Sequence, residues 1–412
     1  MGSRTNPIAE SVTADLLVVG AGPAGSATAT LFARAGLRVA LVDRAAFPRD
    51  KACSEYMSPE AVRILDRLGV LSALEAAGGT PLEGTAVTAA RGAHLHGEFA
   101  RAGHRPFRPT GLSVSRRILD RMLLEQARAA GAQVLERTAV EDLLYERGGV
   151  GGAVLRDADG SRRALRARLT VGADGLRSLV ARRLGGRRHG RPRRVAFVAH
   201  LAGVEGMGGS AEMHVGTRGY VGLNPLGGGV TNVALVVPAE LAGSARGRAE
   251  SFFMEGLRAF PGVAGRVERA RVERRVLATG PFAAWSGRVV AGGAALVGDA
   301  ADFFDPFTGE GIYCALRGAE LLADAALPAL DGAAAVSAAA LAGYRRARRR
   351  AFAGKWAVER LVGYGMGFPR LFDRAVGRLG RRGMAHTFIG VTGDFVPARA
   401  VLNPLFLARM VF

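Results

Sequence analysis

The sequence predicts an α/β fold into which an antiparallel β-sheet domain is inserted and to which a helical C-terminal region is added. Three observations carry this expectation. Residues 15–44, DLLVVGAGPAGSATATLFARAGLRVALVDR, set two apolar runs, 16–19 and 39–42, on either side of a glycine turn and a small-residue helical stretch. From about 190 to 285 the chain is strand-like, with glycine-rich turns at 203–209 and 227–229. Beyond about 331 it is mostly helical.

The first stretch is a strand–turn–helix–strand unit with a dinucleotide fingerprint at Gly20, Gly22 and Gly25. Gly20 permits the tight turn, and Gly22 has no side chain to keep a pyrophosphate from the backbone. Gly25, with Ala29 a turn later, lets the helix lie close on the sheet. Pro23 and Ala24 complete the turn, and the helix N-terminus offers free N–H groups and partial positive charge to phosphate. Asp43 ends the second strand 18 residues after Gly25, where a carboxylate can accept hydrogen bonds from ribose hydroxyls. The unit is of Rossmann type, and by itself it leaves open which dinucleotide it holds.

A chain of 412 residues exceeds the size of one growing core, so intertwined domains are expected. Apolar residues make up 49% and charged residues 22%, the balance of a well-buried protein and not of a disordered one. The net charge of +20 would suit nucleic acid or an anionic membrane. Yet Lys51 and Lys355 are the only lysines, so the charge is nearly all arginine amid many alanines and glycines, and no recognition helix or Arg-aromatic signature accompanies it. Nucleic acid is not the expected partner. The two cysteines, Cys53 and Cys314, lie far apart with no metal-ligand spacing, so neither a disulfide framework, a zinc site nor any other metal is expected. Residues 1–15 contain no apolar signal region, and the Ala-rich stretch 321–341 is broken by Asp324, Pro328 and Asp331. The expectation is a cytoplasmic protein, with peripheral membrane association as its variant.

Along the chain, 47–56 (FPRDKACSEY) reads as a loop and Ser58-Pro59-Glu60 as a helix start, with Gly69 as its stop. Residues 81–110 read as short strands, 114–131 as an amphipathic helix, and 133–135 as a further parallel strand. A hairpin around Asp159-Gly160 leads into VGADGLRS at 171–178. Runs 220–223 and 230–237 should pair across a turn; 239–260 reads as helical, and 288–297 as one buried strand ending at Asp299.

Residues 298–312, GDAADFFDPFTGEGI, place a carboxylate at a strand end before Pro306 and a glycine-rich helix start. Such a carboxylate can grip a polyol, and the helix N-terminus at Gly309-Glu310-Gly311 can stabilise a negative ring edge. With GAGPAGS and VGADGLRS in the expected order, the chain resembles the FAD-dependent group A monooxygenase and geranylgeranyl reductase superfamily. The resemblance implies FAD as the dinucleotide and NAD(P)H as its reductant. It implies an FAD-binding domain of residues 1–80, 111–190 and 286–330, a substrate-binding sheet domain of 81–110 and 191–285, and a C-terminal helical region of 331–412. Gly20, Gly22, Pro23, Ala24, Gly25, Asp43 and Arg44 would hold the ADP half, Val140 would join the cofactor-binding set, and Arg116 would contact the middle of FAD. Asp299 would hold the ribityl chain, with Pro306, Gly309, Glu310, Gly311 and Ile312 by the ring; Asp174 and Gly175 match a motif that serves both FAD and NAD(P)H.

Details resemble the reductase-like branch: DPFTGEGI, KACSEYMSPEAVRIL and YVGLNPL match its D-P-x-T-G-E-G-I, K-P-C-G-G-x-x-S-P and Y-x-W-x-F-P segments. Here Ser54-Glu55 replaces Gly-Gly, Gly222 replaces the second aromatic and Asn224 replaces Phe. The halogenase W-x-W-x-I-P motif is absent. Three functions compete: NAD(P)H-dependent oxygenation of a hydrophobic aromatic, polyketide or isoprenoid compound, flavin-dependent C=C reduction, and a non-redox cyclase or isomerase. The altered substrate strand tips this reading toward oxygenation. Cys53, Tyr220 and Asn224 are the catalytic candidates, Tyr220 and Asn224 sharing one strand face. Glu55 and Tyr56 read as surface loop residues, and His94 and His96 as an exposed strand pair. The 345–350 arginine run, followed by Phe352, Lys355 and Trp356, reads as a solvated helix face or, more sharply, as a membrane-surface patch.

Overall fold

The computed structural model describes residues 9–146, 149–332 and 335–412. The N-terminal segment read as lacking a signal region therefore lies outside the described residues through position 8. Strand β1 (Ala9–Val19) enters helix α1 (Pro23–Arg34), and β2 (Val39–Val42) returns parallel to it with Val18 opposite Leu41. Helix α2 (Pro59–Leu68) is capped at Ser58, whose hydroxyl accepts the Ala61 N–H, and ends on Gly69 at φ +79°. Helix α3 (Arg116–Ala129) feeds β3 (Gln133–Leu135), parallel to β2. The hairpin partner β4 (Arg162–Gly172) lies on the other side of β1, Val171 opposite Val18. Leu16, Leu17, Val18, Leu41 and Val171 are essentially sealed from solvent, as expected of a parallel sheet covered on both faces.

A second, seven-stranded sheet is built from β5 (Arg194–Ala202), β6 (Ala211–Gly216), β7 (Gly219–Gly227), β8 (Val230–Pro238) and β9 (Arg271–Thr279). Its order is β9-β5-β8-β7-β6, and strands Gly84–Thr88 and His94–Glu98 extend it beyond β6. One face carries Phe197, Leu201, Val221 and Leu235, which form a core of their own with Phe253 of the helix Ala249–Arg258. The opposite face carries Ala196, Val198, Tyr220 and Val236 and packs toward the C-terminal helices. Runs 220–223 and 230–237 pair as expected, Tyr220 opposite Val236.

Two elements differ from the sequence reading. The span 288–297 is not one strand: Val290–Ala291 folds back antiparallel on β10 (Ala294–Leu296) across Gly292-Gly293. Gly293 adopts φ +67°, and a Cβ there would lie 1.9 Å from the Val150 carbonyl oxygen, so the chain must bend where it does. Only β10 pairs parallel to a neighbour, β4, and Val290–Ala291 lies outside it as an antiparallel edge strand of the same sheet. The span 239–260 is helical only over Ala249–Arg258, after a short 3₁₀ turn and Gly247 at φ +74°. Beyond β10, α4 (Gly311–Ala326), α5 (Ala342–Gly365) and α6 (Pro369–Arg381) make the C-terminal part largely helical. The expected α/β architecture with an antiparallel sheet and terminal helices is the one observed. Among the described residues no helix is long and apolar enough to cross a membrane.

Candidate cofactor cleft and the sheet above it

The strand order β10-β4-β1-β2-β3 brings the carboxyl ends of β1, β4 and β10 together, the place where open α/β sheets bind ligands. Gly20 sits at φ +99° with its N–H on the Val42 carbonyl at 2.7 Å. A Cβ on Gly25 would lie 1.7 Å from the Gly20 carbonyl oxygen, so helix α1 rests directly on the turn. Gly22 is different. A Cβ there would meet only Arg49 Nη2 at 3.6 Å and Arg116 Nη2 at 3.7 Å. Two guanidinium groups thus hang over the helix N-terminus, and Pro23 and Ala24 begin the helix beneath them.

Arg116 is buried, and its Nε and Nη2 bond Asp120 at 2.7 and 2.9 Å. Burial pulls its pKa down, but the Asp120 carboxylate more than offsets this and keeps the charge in place. Arg49 shares Asp120 at 3.0 Å. Lys51 is open to water in the cleft, where desolvation and then the charges of Arg116 and Arg49 lower its pKa. Sequence reasoning missed Arg49 and Lys51 as cleft residues, placing them only as neighbours of Cys53. Their position in the loop directly after the second strand was the available signal.

Asp43 accepts the Ala21 and Ala45 N–H groups, both at 2.8 Å, one on each oxygen, which fixes the carboxylate with lone pairs to spare. Arg44 beside it is exposed, and Val140 lies half-buried on the strand Ala139–Glu146, against the core on the far side of the sheet. Asp174 caps the short helix at 179, accepting the Leu179 N–H at 2.6 Å, while its Oδ1 is buried without a partner; Gly175 follows at φ +77°. Asp299 accepts no hydrogen bond from any described residue on its carboxylate; burial pushes its pKa up, against the pull of Lys51 and Arg116.

At the ring end, a Cβ on Gly309 would lie 2.7 Å from Tyr56 Cδ1, and one on Gly311 would lie 3.3 Å from Phe303 Cε2. Pro306 opens the preceding turn and Ile312 is buried in α4. Glu310 turns its side chain away from the turn, to Ser58 Oγ at 3.0 Å, and leaves Oε1 buried and unpartnered. Burial raises its pKa well above the ordinary range despite Lys355 nearby. Lys355 in turn bonds Asp394 at 2.8 Å, and the same setting pushes Glu359 up to about 7. Unfilled backbone at Gly22, guanidinium groups above it and an unpartnered Asp299 fit the pyrophosphate and ribityl parts of FAD.

The three catalytic candidates are held by the protein itself. Tyr220 donates its hydroxyl to Asp305 Oδ1 at 2.6 Å, and Arg194 holds the other oxygen at 2.6 Å. Asn224 donates to the Ser54 carbonyl at 2.9 Å and to Ser113 Oγ at 2.7 Å. Cys53 is half-buried; its sulfur accepts the Glu55 N–H at 3.4 Å. The surface reading of Glu55 and Tyr56 is overturned: they are 0% and 5% exposed. Four hydrogen-bonding partners on three strands and a helix draw Glu55 inward, which no local pattern announces. His94 and His96 are exposed on their strand as expected. Within the 345–350 run, Arg345, Arg346, Arg349 and Arg350 are exposed, as on a solvated helix face, whereas Arg348 is buried on Asp302 at 2.7 Å and Phe352 and Lys355 face inward. Four of the exposed large apolar side chains, Leu361, Tyr364, Phe368 and Leu371, lie at the α5–α6 corner.

A family profile described as an FAD binding domain matches residues 13–359. The chain is 31% identical over 328 residues to the digeranylgeranylglycerophospholipid reductase of Methanosarcina mazei, covering 77% of this chain and 76% of that protein. It is 33% identical over 335 residues to the menaquinone reductase of Mycolicibacterium smegmatis, covering 76% of each. Among solved structures, a geranylgeranyl bacteriochlorophyll reductase-like protein of Thermoplasma acidophilum matches with a TM-score of 0.76 at 21% identity, over 97% of this chain and 99% of that one. The myxobacterial chondrochloren halogenase matches at 0.80 and 24%, over 94% and 96%. At these identities the structural likeness is one of fold. The fingerprint, the cleft and the profile agree: the chain belongs to the FAD-binding family of the group A flavoprotein superfamily, among FAD-dependent oxidoreductases with geranylgeranyl reductase-like relatives.

Proposed function

We propose that the protein is an FAD-dependent reductase that saturates a C=C bond in a hydrophobic, isoprenoid-type compound, with NAD(P)H as electron donor. The observation that carries this reading is that relatives 31% and 33% identical, each aligned over three quarters of this chain, are named reductases. This moves the balance away from the oxygenation favoured by the sequence alone. FAD, once bound and reduced, supplies a hydride equivalent. The chain supplies the rest. With FAD bound, the α1 N-terminus, Arg49, Lys51 and Arg116 would neutralise the pyrophosphate, Asp43 and Asp299 would accept from ribose and ribityl hydroxyls, and the α4 N-terminus would supply N–H groups to a negative ring edge. Tyr56, Tyr220, Phe303 and Phe307 make an aromatic wall beside Gly309 and Gly311, Tyr220 and Phe307 meeting edge-on at 5.2 Å, and this wall excludes water. Each C=C also needs one proton, for which the Cys53 thiol is the proposed source.

Oxygenation stays as the second reading because Gly222 and Asn224 make the sheet face smaller and more polar than the Y-x-W-x-F-P segment that this strand resembles. The test is turnover of prenylated quinones and lipids by reduced, FAD-loaded protein without air and in ¹⁸O₂. Gain of two hydrogens without air supports reduction; incorporation of labelled oxygen overturns it.

A hydrophobic substrate needs a route from a lipid phase, and the α5–α6 corner is the proposed contact. Phe368, 65% exposed, stands there with Leu361, Tyr364 and Leu371, next to the exposed Arg360, Arg370 and Arg374, which suits an anionic lipid surface.

A further inference from the structure

Where the resembling relatives carry Cys-Gly-Gly, this chain carries Cys53-Ser54-Glu55, and the structure shows where the third residue goes. Glu55 adopts φ +58°, a left-handed backbone that favours glycine, and keeps it with a full side chain. Its carboxylate is sealed from solvent and saturated. Oε1 accepts the Arg116 backbone N–H at 2.8 Å and Arg274 Nη1 at 3.3 Å; Oε2 accepts Asn232 Nδ2 and pairs with His200 Nε2, each at 2.6 Å.

The partners form a line. His200 on β5 stands opposite Arg274 on β9 and opposite Asn232 on β8, and Asn232 stands opposite Asn224 on β7. Four polar side chains thus cross four neighbouring strands in one row, on a sheet face otherwise lined by Ala196, Val198, Tyr220 and Val236. The row and Ser113 beside it reach three successive residues of the loop, 53 to 55. Asn232 also donates to the Cys53 carbonyl at 2.8 Å, Asn224 to the Ser54 carbonyl at 2.9 Å, and Ser113 Oγ to the Glu55 carbonyl at 3.3 Å.

We infer that Glu55 and this polar row form a latch that fixes the Cys53 loop against the sheet and ties it to the cofactor cleft through the start of α3. The tie runs through Arg116, whose backbone N–H bonds Glu55 while its guanidinium faces Gly22. Glu55 is thereby a positioning residue, fixing by side-chain bonds a loop geometry that a glycine at φ +58° would leave to the backbone alone. Burial opposes its charge, but His200, the Arg116 N–H and Arg274 outweigh burial and keep it ionised. The latch rests on the cleft being an FAD site, but not on which reaction is run there.

The experiment is alkylation of the two cysteines by N-ethylmaleimide in FAD-loaded protein, each followed by peptide mass spectrometry. Cys314, in α4 and away from the row, is the internal control. Glu55→Gln, Asn232→Ala and Asn224→Ala should each raise the Cys53 rate by about tenfold or more, because the rate follows the population of the locally opened loop, and leave the Cys314 rate unchanged. Equal acceleration of both cysteines would mean general loosening and would overturn the latch, as would an unchanged Cys53 rate in all three. If Glu55→Gln does not fold, Asn224→Ala, whose side-chain hydrogen bonds go to Ser54 and Ser113, still decides. No turnover is required, so a wrong reaction assignment leaves the result readable; loss of FAD uptake by wild type would instead count against the cofactor reading.

Discussion

Glu55 and Asp299 are both carboxylates withdrawn into the same part of the molecule, and the protein treats them in opposite ways. Glu55 is closed off and given four hydrogen-bonding partners, which hold its pKa below the ordinary 4.5. Asp299, at the end of β10, has no protein donor among the described residues, and burial lifts its pKa above the ordinary 3.8. A carboxylate that the fold satisfies is part of the scaffold; one that it leaves wanting is built for something that arrives later. The same contrast separates Gly25, filled by its own turn, from Gly22, open beneath two guanidinium groups.

The largest effect should come from Gly25→Ala. Its Cβ would enter the Gly20 carbonyl, so soluble folded protein should be lost, whereas Gly22→Ala should fold normally and bind FAD more weakly. Circular dichroism and flavin absorbance of both variants check this; a Gly25→Ala protein that folds like wild type would break the contrast.

Next is Glu55→Ala, which strands Arg274 without its counter-charge and His200 without its hydrogen-bond partner and should cost on the order of 3 kcal/mol of stability. Asp299→Ala should not lower apoprotein stability and should slightly raise it at neutral pH, while raising the FAD Kd by about tenfold to a hundredfold, the worth of hydrogen bonds to a charged group. Thermal melts and flavin fluorescence titrations separate the two. If Asp299→Ala destabilised the apoprotein as strongly as Glu55→Ala, the division into scaffold and site would fail.

A smaller effect distinguishes the same pair by pH. Glu55 has a depressed folded pKa, so its stabilisation is complete above 4.5 and lost as pH falls through the folded value. Asp299 has a raised folded pKa, so its charge costs stability above that value and acidification relieves the cost. Glu55→Gln should therefore flatten the loss of apoprotein stability below pH 4.5, and Asp299→Asn should not. Stability measured by urea titration across that range gives the answer.

The smallest expected effect is at the surface. Wild type should sediment with vesicles containing anionic phospholipid and not with neutral ones, and Phe368→Ser with Leu371→Ser should weaken this severalfold at unchanged FAD content. Self-association without vesicles would point to a second copy as the occupant of the corner.

Much of the fold was legible because its signals are local. The 16–42 unit announces itself through two apolar runs and three glycines, and Ser58 and Gly69 mark both ends of a helix. The 288–297 span misled because Gly292-Gly293 in a buried run reads as continuous strand until Val150 is seen pressing on it. Helix 239–260 was overdrawn for the same reason, since Gly247 breaks the path only once its φ is known. Arg49 and Lys51 carry only the signal of their loop position after the second strand, and the fate of Glu55 is out of reach because its partners are not neighbours in sequence.

By itself the sequence determined the elements and the chemistry available: glycines at positions 20, 22 and 25, carboxylates at strand ends, and a glycine-rich helix start near residue 310. Spacing and side-chain type suffice for that, since turns, caps and strand ends are set within a few residues. The tertiary structure decided which charges face one another. Strand register placed Arg274, His200, Asn232 and Asn224 in one row, and a loop some 145 residues before His200 brought Glu55 beneath it. Those pairings depend on sheet order, crossover and burial together, and a buried carboxylate becomes scaffold or site only when the full set of groups around it is in place.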